Sequence, residues 1–438
     1  MKTFKRGGIY PNENKLSSSC PIEVMLPPAI AHIPLSQHAG MPAIPVINKD
    51  DKVKVGQLIA KAQGFISSDI HASVSGIVAN IEGMGYLGKT IIIKTEYDEW
   101  LENIDRSKKL IKNISLSQTE IIKKIQDAGI VGLGGATFPT HIKLTPHRAK
   151  IAEILIINGA ECEPFLTSDH RLMLEKGDEI MIGATILLKA LNIDKAIIGI
   201  ETNKQDAIDN LTSISKNYEN IEVVALKTKY PQGGEKQLIK ALTGREVPFQ
   251  KLPVDFGCVV QNVGTTFAVY EAVQKNKPLI ERVVTITGHS IKQPSNFLVR
   301  IGTPISILIE KVGGLPENTG KVISGGPMMG KALINIEAPV IKGMSGILVL
   351  PEKESRRIKE LNCIRCGKCL RVCPMGLAPY LLAMISEHAG FEKAEKEKIM
   401  DCLECGSCSY ICPSGRPLLD YIRLGKIKIE EMIRKRST

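Results

Sequence analysis

Hydrophobic positions along this chain change period from region to region, and each change marks a different kind of element. Over residues 43–95, short runs such as "KVKVGQLIAKA" and "IHASVSGIVANIE" alternate apolar and polar positions between Gly, Asp and Asn turns, which predicts a compact β module. From residue 117 the period becomes helical in "SQTEIIKKIQDAG", closed by Gly129, and then strand and helix alternate. "EILIIN" and "KAIIGIE" read as buried strands, "NKQDAIDNLTSISKNY" as a helix and "IEVVALK" as a further strand. That alternation predicts a mostly parallel sheet covered on both faces. Residues 281–350 are mixed: "RVVTITG" and "FLVRIG" as strands, "PISILIEKVGG" as a short helix and "GKVISGGPMMG" as a loop, together a small β-grasp unit. Residues 351–438 open with the charged linker "PEKESRRIKE" and contain no strand-like run, so the last domain is expected to be all-helical.

Composition narrows the function classes. A chain of 438 residues with 43% apolar content has room for several buried cores. Aromatic content of only 4% gives few stacking platforms for bases, so nucleic acid is not an expected partner. The net charge of +11 suits an anionic partner, and equally a Lys-rich solvated surface. The opening "MKTFKRGGIYPNENK" is polar and turn-forming rather than apolar, so no signal peptide is expected and the chain is expected to stay in the cytosol. The stretch 24–48, free of Asp, Glu, Lys and Arg, contains five prolines and cannot form a bilayer-spanning helix. No direct membrane span is expected.

Eight of the eleven cysteines lie in two repeats, "CIRCGKCLRVCP" at 363–374 and "CLECGSCSYICP" at 402–413. Each is CxxCxxCxxxCP, the rhythm in which three thiolates take one [4Fe–4S] cubane and the fourth reaches the neighbouring one. On that motif Cys363, Cys366 and Cys369 with Cys412 hold one cluster, and Cys402, Cys405 and Cys408 with Cys373 hold the other. Structural zinc takes thiolates in two pairs, and a 3+1 rhythm repeated twice fits it poorly. Two cubanes make a one-electron wire, which requires a source and a sink.

"GIVGLGGATFPTHIKL" at 129–144 places Gly132, Gly134 and Gly135 after one helix, with Pro139 set to begin another. Successive glycine amides ahead of a helix N-terminus make a phosphate cradle; alone, the same cluster also reads as a tight turn. The strand "EILIINGAECEP" then delivers Asn158, Glu161 and Glu163 at its C-terminal end, where ligands of parallel sheets bind. "SGGPMMG" lacks the Lys-Ser/Thr ending of a nucleotide loop and reads as a turn, and "SDHRLM" at 168–173 suggests no chemistry.

Two resemblances follow from these phrases. The β module resembles the barrel-sandwich fold of lipoyl and biotinyl carrier domains, although "GFISSDIHAS" lacks their acceptor lysine, so its role is expected to be structural. "GLGGATFP" with Lys143, "NGAECEP", "YPQGGE" and "QNVGTTFAV" resemble, in order, phrases of the NADH- and FMN-binding subunit of respiratory complex I. With "FKRGGIYPNENK" and "PLSQHAGMPAIPVI" ahead of them and the cysteine repeats behind, the chain as a whole is similar to the RnfC family, which serves the Rnf complexes, ion-translocating ferredoxin:NAD oxidoreductases.

The resemblance implies a multi-domain α/β protein: a barrel-sandwich N-terminal region (1–110), a Rossmann-like α/β FMN/NADH domain (111–280), a β-grasp (SLBB-like) domain (281–350) and an all-α two-cluster ferredoxin domain (351–438). It implies FMN held by Gly132, Gly134 and Gly135, with Lys143, Asn158, Glu161, Asn262 and Thr265 in polar contact. NAD(H) lies against Phe138, with Glu163, Glu235 and Lys251 nearby. The sequence departs from the complex I phrases at Leu133, Ala160, Gly234 and Gly264, where those phrases carry charged residues. Hydride transfer needs no acid–base residue, so no catalytic side chain is assigned. The implied partners are NADH and the other subunits of a membrane-bound complex, including an iron–sulfur electron carrier, met as a peripheral protein on the cytoplasmic side of the membrane. A cobalamin reductase of the propanediol-utilisation type shares this pattern, and a non-catalytic docking subunit with working clusters is the third possibility.

Overall fold

The computed structural model describes residues 1–145 and 152–437. Strands Ile221–Leu226, Ala196–Glu201, Ile154–Gly159 and Cys258–Asn262 lie in that order in one sheet, all parallel. Their two-residue period divides the side chains between two cores. Leu155, Ile157, Ile198 and Ile200 pack with the helices Gln118–Asp127, Gly177–Leu191 and Val263–Lys275. Ile156, Ile197, Val224 and Val260 face the helix Glu235–Thr243 on the other side. The first helix starts where the sequence places it, because Ser117 and Glu120 cap each other's backbone N–H groups. Gly183 is required where two helices meet: a Cβ there would lie 2.2 Å from the Thr266 carbonyl oxygen.

The N-terminal module is two facing sheets. Ile30–Pro34, Lys89–Thr95, Gly76–Gly83 and Lys52–Val53 form one; Ile44–Pro45, Leu58–Lys61 and Ile70–His71 form the other. Ile33, Ile59, Ile70, Val78, Ile91 and Ile93 fill the space between them. A six-stranded sheet follows, in the order Ile22–Val24, Ser295–Arg300, Glu281–Thr287, Gly346–Pro351, Thr319–Ser324 and Lys331–Ala332, with the helix Ile305–Lys311 on its core.

Three strands differ from what the local pattern predicts. "GKVIS" is expected within a loop, yet Thr319–Ser324 is a strand antiparallel to Gly346–Pro351, and only the part from Gly325 is a turn. Its apolar run is two residues long, too short for a visible period, and pairing with a central strand supplies what local pattern does not. Ile22–Val24 and Ile30–Pro34 are masked in the sequence by Pro27, Pro28 and Pro34; the first is an edge strand added to the six-stranded sheet from far away in sequence.

The C-terminal region is helical. Pro379–Glu387 and Leu418–Ser437 pack through Leu382, Ala383, Leu418, Ile422 and Ile429. Among the described residues no helix is long and apolar enough to cross a membrane. An N-terminal arm ties the parts together: Lys2 bridges to Leu226, Ile9 to Tyr230, and Gly8 N–H donates to the Val372 carbonyl at 2.8 Å.

Candidate functional site

The glycine loop is a closed neck with an exposed tip. Val131 bridges to Pro139, Gly132 N–H donates to the Phe138 carbonyl at 2.9 Å, and Thr137 N–H returns to the Gly132 carbonyl at 3.2 Å. Gly134, Gly135 and Ala136 form the exposed tip. Gly135 has φ +111° and nothing within 4 Å of where a Cβ would stand, so its amide can be approached closely by a ligand. Leu133 fixes the loop from inside: its side chain is buried, its N–H donates to Thr265 Oγ1 at 2.8 Å, and its carbonyl accepts from Arg282 Nη2 at 2.7 Å. Position 133 is thus given to core packing, and a buried guanidinium from the β-grasp sheet holds its carbonyl. The helix after the loop, Thr140–Leu144, spans five residues and contributes little dipole. Helix Val263–Lys275 lies against the loop, its start capped by Asn262, and a Cβ on Gly134 would stand 3.5 Å from Asn262 Cβ.

Asn158 and Asn262 are register partners at the ends of adjacent parallel strands. Asn158 Nδ2 donates to the Gly233 carbonyl at 2.9 Å, and its Oδ1 accepts from Ala160 N–H at 3.1 Å. Asn262 Oδ1 accepts from the N–H groups of Gly264 and Thr265 at 2.9 and 3.3 Å, while Nδ2 donates to Asp169 at 2.6 Å. Lys143 Nζ pairs with Glu235 at 2.8 Å and donates to the Val260 carbonyl at 3.2 Å. The structure therefore gathers Gly132, Gly134, Gly135, Asn262 and Thr265 around one loop, and joins Lys143 to Glu235 beside the strand Cys258–Asn262.

The two glutamates of "AECEP" are engaged inside the protein. Glu161 caps the helix Ser168–Glu175, accepting from the N–H groups of Asp169 at 2.8 Å and His170 at 3.0 Å and from Ser168 Oγ at 3.1 Å. Glu163 accepts from the N–H groups of Met328 and Met329 at 3.1 and 2.7 Å, tying the loop to "SGGPMMG". Burial pushes the Glu163 carboxyl up to about 7 against those donors. Lys251 stands exposed in the turn beyond Pro248, its N–H on the Pro248 carbonyl, and is not gathered with the other candidates. Phe138 is half-buried at the neck of the glycine loop.

Asp169 is a residue that sequence reasoning misses. Burial first, then the nearby Glu161, pushes its carboxyl up to about 7 against Arg282 and the Asn262 amide. It lies 3.5 Å from where a Cβ on Gly264 would stand, so it closes on the start of helix Val263–Lys275. Its signal is "SDHRLM", a polar start to a helix whose spatial neighbour is 93 residues away.

Eight cysteines surround the second candidate site, and all eleven cysteines of the chain are free. Cys373 of the first repeat lines the same pocket as Cys402, Cys405 and Cys408 of the second, a small space walled by Met375, Leu377, Leu382, Leu419 and Ile422. The sulfurs border a common space; among the described residues no three are drawn close enough to ligate a single ion. Burial pushes the Cys402 thiol up to about 12, so the thiolates needed there require a compensating cation such as cluster iron. Four cysteines in a dry apolar wall fit an iron–sulfur cubane. Cys363 and Cys366 are exposed and Cys369 and Cys412 half-buried. Burial raises the Cys369 thiol, and the sulfurs of Cys412 and Cys363 act in the same direction.

The two sites touch. Tyr230, 2% exposed, donates from its hydroxyl to the Cys405 carbonyl at 2.7 Å and packs with Ile9, Cys162 and Met328. Three residues further on, Gly233 receives the Asn158 amide and its N–H donates to Cys162 Sγ at 3.4 Å.

Known families match the chain in the same order as its domains. Residues 2–96 match the RnfC barrel sandwich hybrid domain, 125–271 the Nuo51 FMN-binding domain, 283–332 the SLBB domain and 362–416 the 4Fe-4S dicluster domain. The barrel-sandwich, α/β, β-grasp and helical cluster folds are those expected, and the cofactors of these domains are FMN and two [4Fe–4S] clusters. The chain is 48% identical, over 91% of its length and 87% of the relative's, to an RnfC-type component of the proton-translocating ferredoxin:NAD(+) oxidoreductase complex of Clostridium ljungdahlii. It is 44% identical, over 99% and 98%, to the corresponding component of the Na(+)-translocating complex of Acetobacterium woodii. A solved NAD+-reducing [NiFe]-hydrogenase shares the fold at a TM-score of 0.52 and 20% identity, over 70% of this chain and 61% of that one. The chain therefore belongs to the RnfC family of Rnf-type ion-translocating ferredoxin:NAD(+) oxidoreductase complexes, as a redox subunit of a larger assembly.

Proposed function

We propose that this chain is the NADH/NAD-binding electron-transfer subunit of a membrane-bound Rnf-type complex, peripheral on the cytoplasmic side, linking NADH to a partner subunit that is itself an iron–sulfur carrier. The observation that carries this reading is the contact between the two sites: the segment that receives Asn158 through Gly233 also reaches Cys405 through Tyr230. FMN, when bound, supplies conversion between the two-electron hydride of a nicotinamide and the single electrons of a cluster.

The chain's own groups bind and orient. The exposed amides at Gly134 and Gly135 suit a phosphate, and Asn262 and Thr265 hold that loop in shape. Lys143, paired with Glu235, offers a cation beside the strand ends, and Asn158 orders the turn at Gly233. Phe138, at the neck of the loop, offers a face for the dinucleotide. Cys373, Cys402, Cys405 and Cys408 would hold the inner cluster, and Cys363, Cys366, Cys369 and Cys412 the outer one, which faces the partner.

The test is anaerobic purification, flavin extraction and NADH-dependent ferricyanide reduction. The expected result is about one FMN per chain with NADH-driven turnover. Intact clusters without FMN and without turnover would reduce the chain to a docking role; corrinoid reduction by a chain that joins no membrane complex would make it a cobalamin reductase.

A further inference from the structure

The loop 160–166, which leaves the flavin-side strand Ile154–Gly159, is held from behind by two ammonium groups. Lys15, from the N-terminal phrase "YPNENK", donates from Nζ to the carbonyls of Glu161 at 2.8 Å, Glu163 at 2.9 Å and Leu166 at 2.7 Å. Lys204, 1% exposed, donates to the Ala160 carbonyl at 2.7 Å and to Asn203 Oδ1 at 2.8 Å, with a Glu201 carboxylate oxygen at 3.8 Å. Four carbonyls of one short loop therefore converge on two cations.

The loop needs such a hold. Glu161 and Phe165 have φ of +41° and +70°, left-handed conformations that cost non-glycine residues about 1–3 kcal/mol each. Phe165 N–H donates to the Glu13 carbonyl at 2.8 Å, and Ser17 and Thr167 share a hydroxyl hydrogen bond at 2.6 Å, so the arm on both sides of Lys15 is fastened to the loop it serves. Three carbonyls around one ammonium match its three donors, a geometry that the planar fork of an arginine does not reproduce.

We propose that Lys15 and Lys204 are positioning residues for the flavin site, their ammonium groups locking the loop that sets Asn158 beside Gly233 and Glu161 on the start of helix Ser168–Glu175. The proposal rests on the flavin reading above. Lys15 faces Glu161, Cys162 and Glu163 on the loop, Glu201 at the neighbouring strand end and Lys204 beyond it, while Glu13 on its own arm accepts from Asn203 Nδ2 at 3.0 Å. Burial, reinforced by Lys204, pushes its amine down to about 8 against the nearby carboxylates and Cys162. A neutral amine has two N–H donors for three carbonyls, so the lock weakens as pH rises through that value.

The experiment is FMN affinity of the anaerobically purified full chain, followed by flavin fluorescence from pH 6.5 to 9.5, for the wild type, Lys15→Ala, Lys15→Arg and Lys204→Met. Lys15→Ala is expected to weaken FMN binding about tenfold at pH 7 while keeping the wild-type iron content, and ethylammonium chloride is expected to recover part of the loss where sodium chloride at equal ionic strength does not. Lys15→Arg is expected not to recover it. Wild-type affinity is expected to fall across pH 8 and the Lys15→Ala profile to be flat there. Lys204→Met, which loses one loop carbonyl, is expected to weaken binding less. Unchanged affinity and pH profile in Lys15→Ala, or a loss that ethylammonium does not recover, would overturn the proposal. Should Lys15→Ala fail to fold, the wild-type profile decides alone: no decline across pH 8 overturns it. A wild type without FMN would instead sink the flavin reading itself.

Discussion

The two cysteine repeats have the same spacing and opposite surroundings. In the first, Cys363 and Cys366 are exposed, and Leu361 and Ile364 beside them are 57% and 68% exposed. In the second, Cys405 and Cys408 are buried, the Cys405 carbonyl accepts from Tyr230, and the Cys402 carbonyl accepts from Lys426 at 3.0 Å. Glu404, between them, is held by Arg423 and Lys426, and Arg423 also reaches the Met329 carbonyl at 3.3 Å. A motif fixes which atoms meet iron; the packing around it decides which cluster faces the flavin domain and which faces outward. Cys373 crosses over, buried in the pocket of the second repeat although it ends the first.

The largest expected effect comes from breaking that crossing. Cys373→Ala should lose about half of the iron and the cluster of the second repeat, leaving the first, and Cys412→Ala should do the reverse. Iron analysis with electron paramagnetic resonance separates the two; loss of the first repeat's cluster in Cys373→Ala would mean that each repeat holds its own. Tyr230→Phe is a smaller perturbation, leaving the Cys405 carbonyl without its donor at a cost of about 1–3 kcal/mol. Thermal unfolding should shift down, and the resonance of the second-repeat cluster should change while that of the first does not. Smallest is Ile364→Ser: at an exposed position it should alter stability by less than about 0.5 kcal/mol in a denaturant titration, where Ile422→Ala, beneath the second repeat, should cost about 2–5 kcal/mol. Equal losses would remove the contrast.

Much of this is legible in the sequence because it is local. Cysteine spacing, the glycine run before Pro139 and the apolar strand that carries Asn158 each signal within a dozen residues. What the sequence hides depends on distant partners. Lys15 looks like one more surface lysine until its carbonyls, 146 to 151 residues away, are in view. Glu161 and Glu163 read as ligand groups at a strand end, yet their carboxylates are taken by a helix start and by the "SGGPMMG" turn. Asp169 carries no visible purpose until folding places it against Asn262. The edge strand Ile22–Val24 has its partner some 270 residues later, beyond the reach of any local period.

The central claim is that the second-repeat cluster stands between the flavin and the first-repeat cluster. Electron paramagnetic resonance of Cys405→Ala, frozen soon after mixing with NADH under an NADH-regenerating system, tests it most directly, with dithionite as the control that the remaining cluster is reducible. The account predicts a first-repeat cluster reduced by dithionite but not by NADH on the wild-type timescale, whereas in Cys363→Ala the second-repeat cluster still responds to NADH. Reduction of the first-repeat cluster by NADH at the wild-type rate in Cys405→Ala would contradict it.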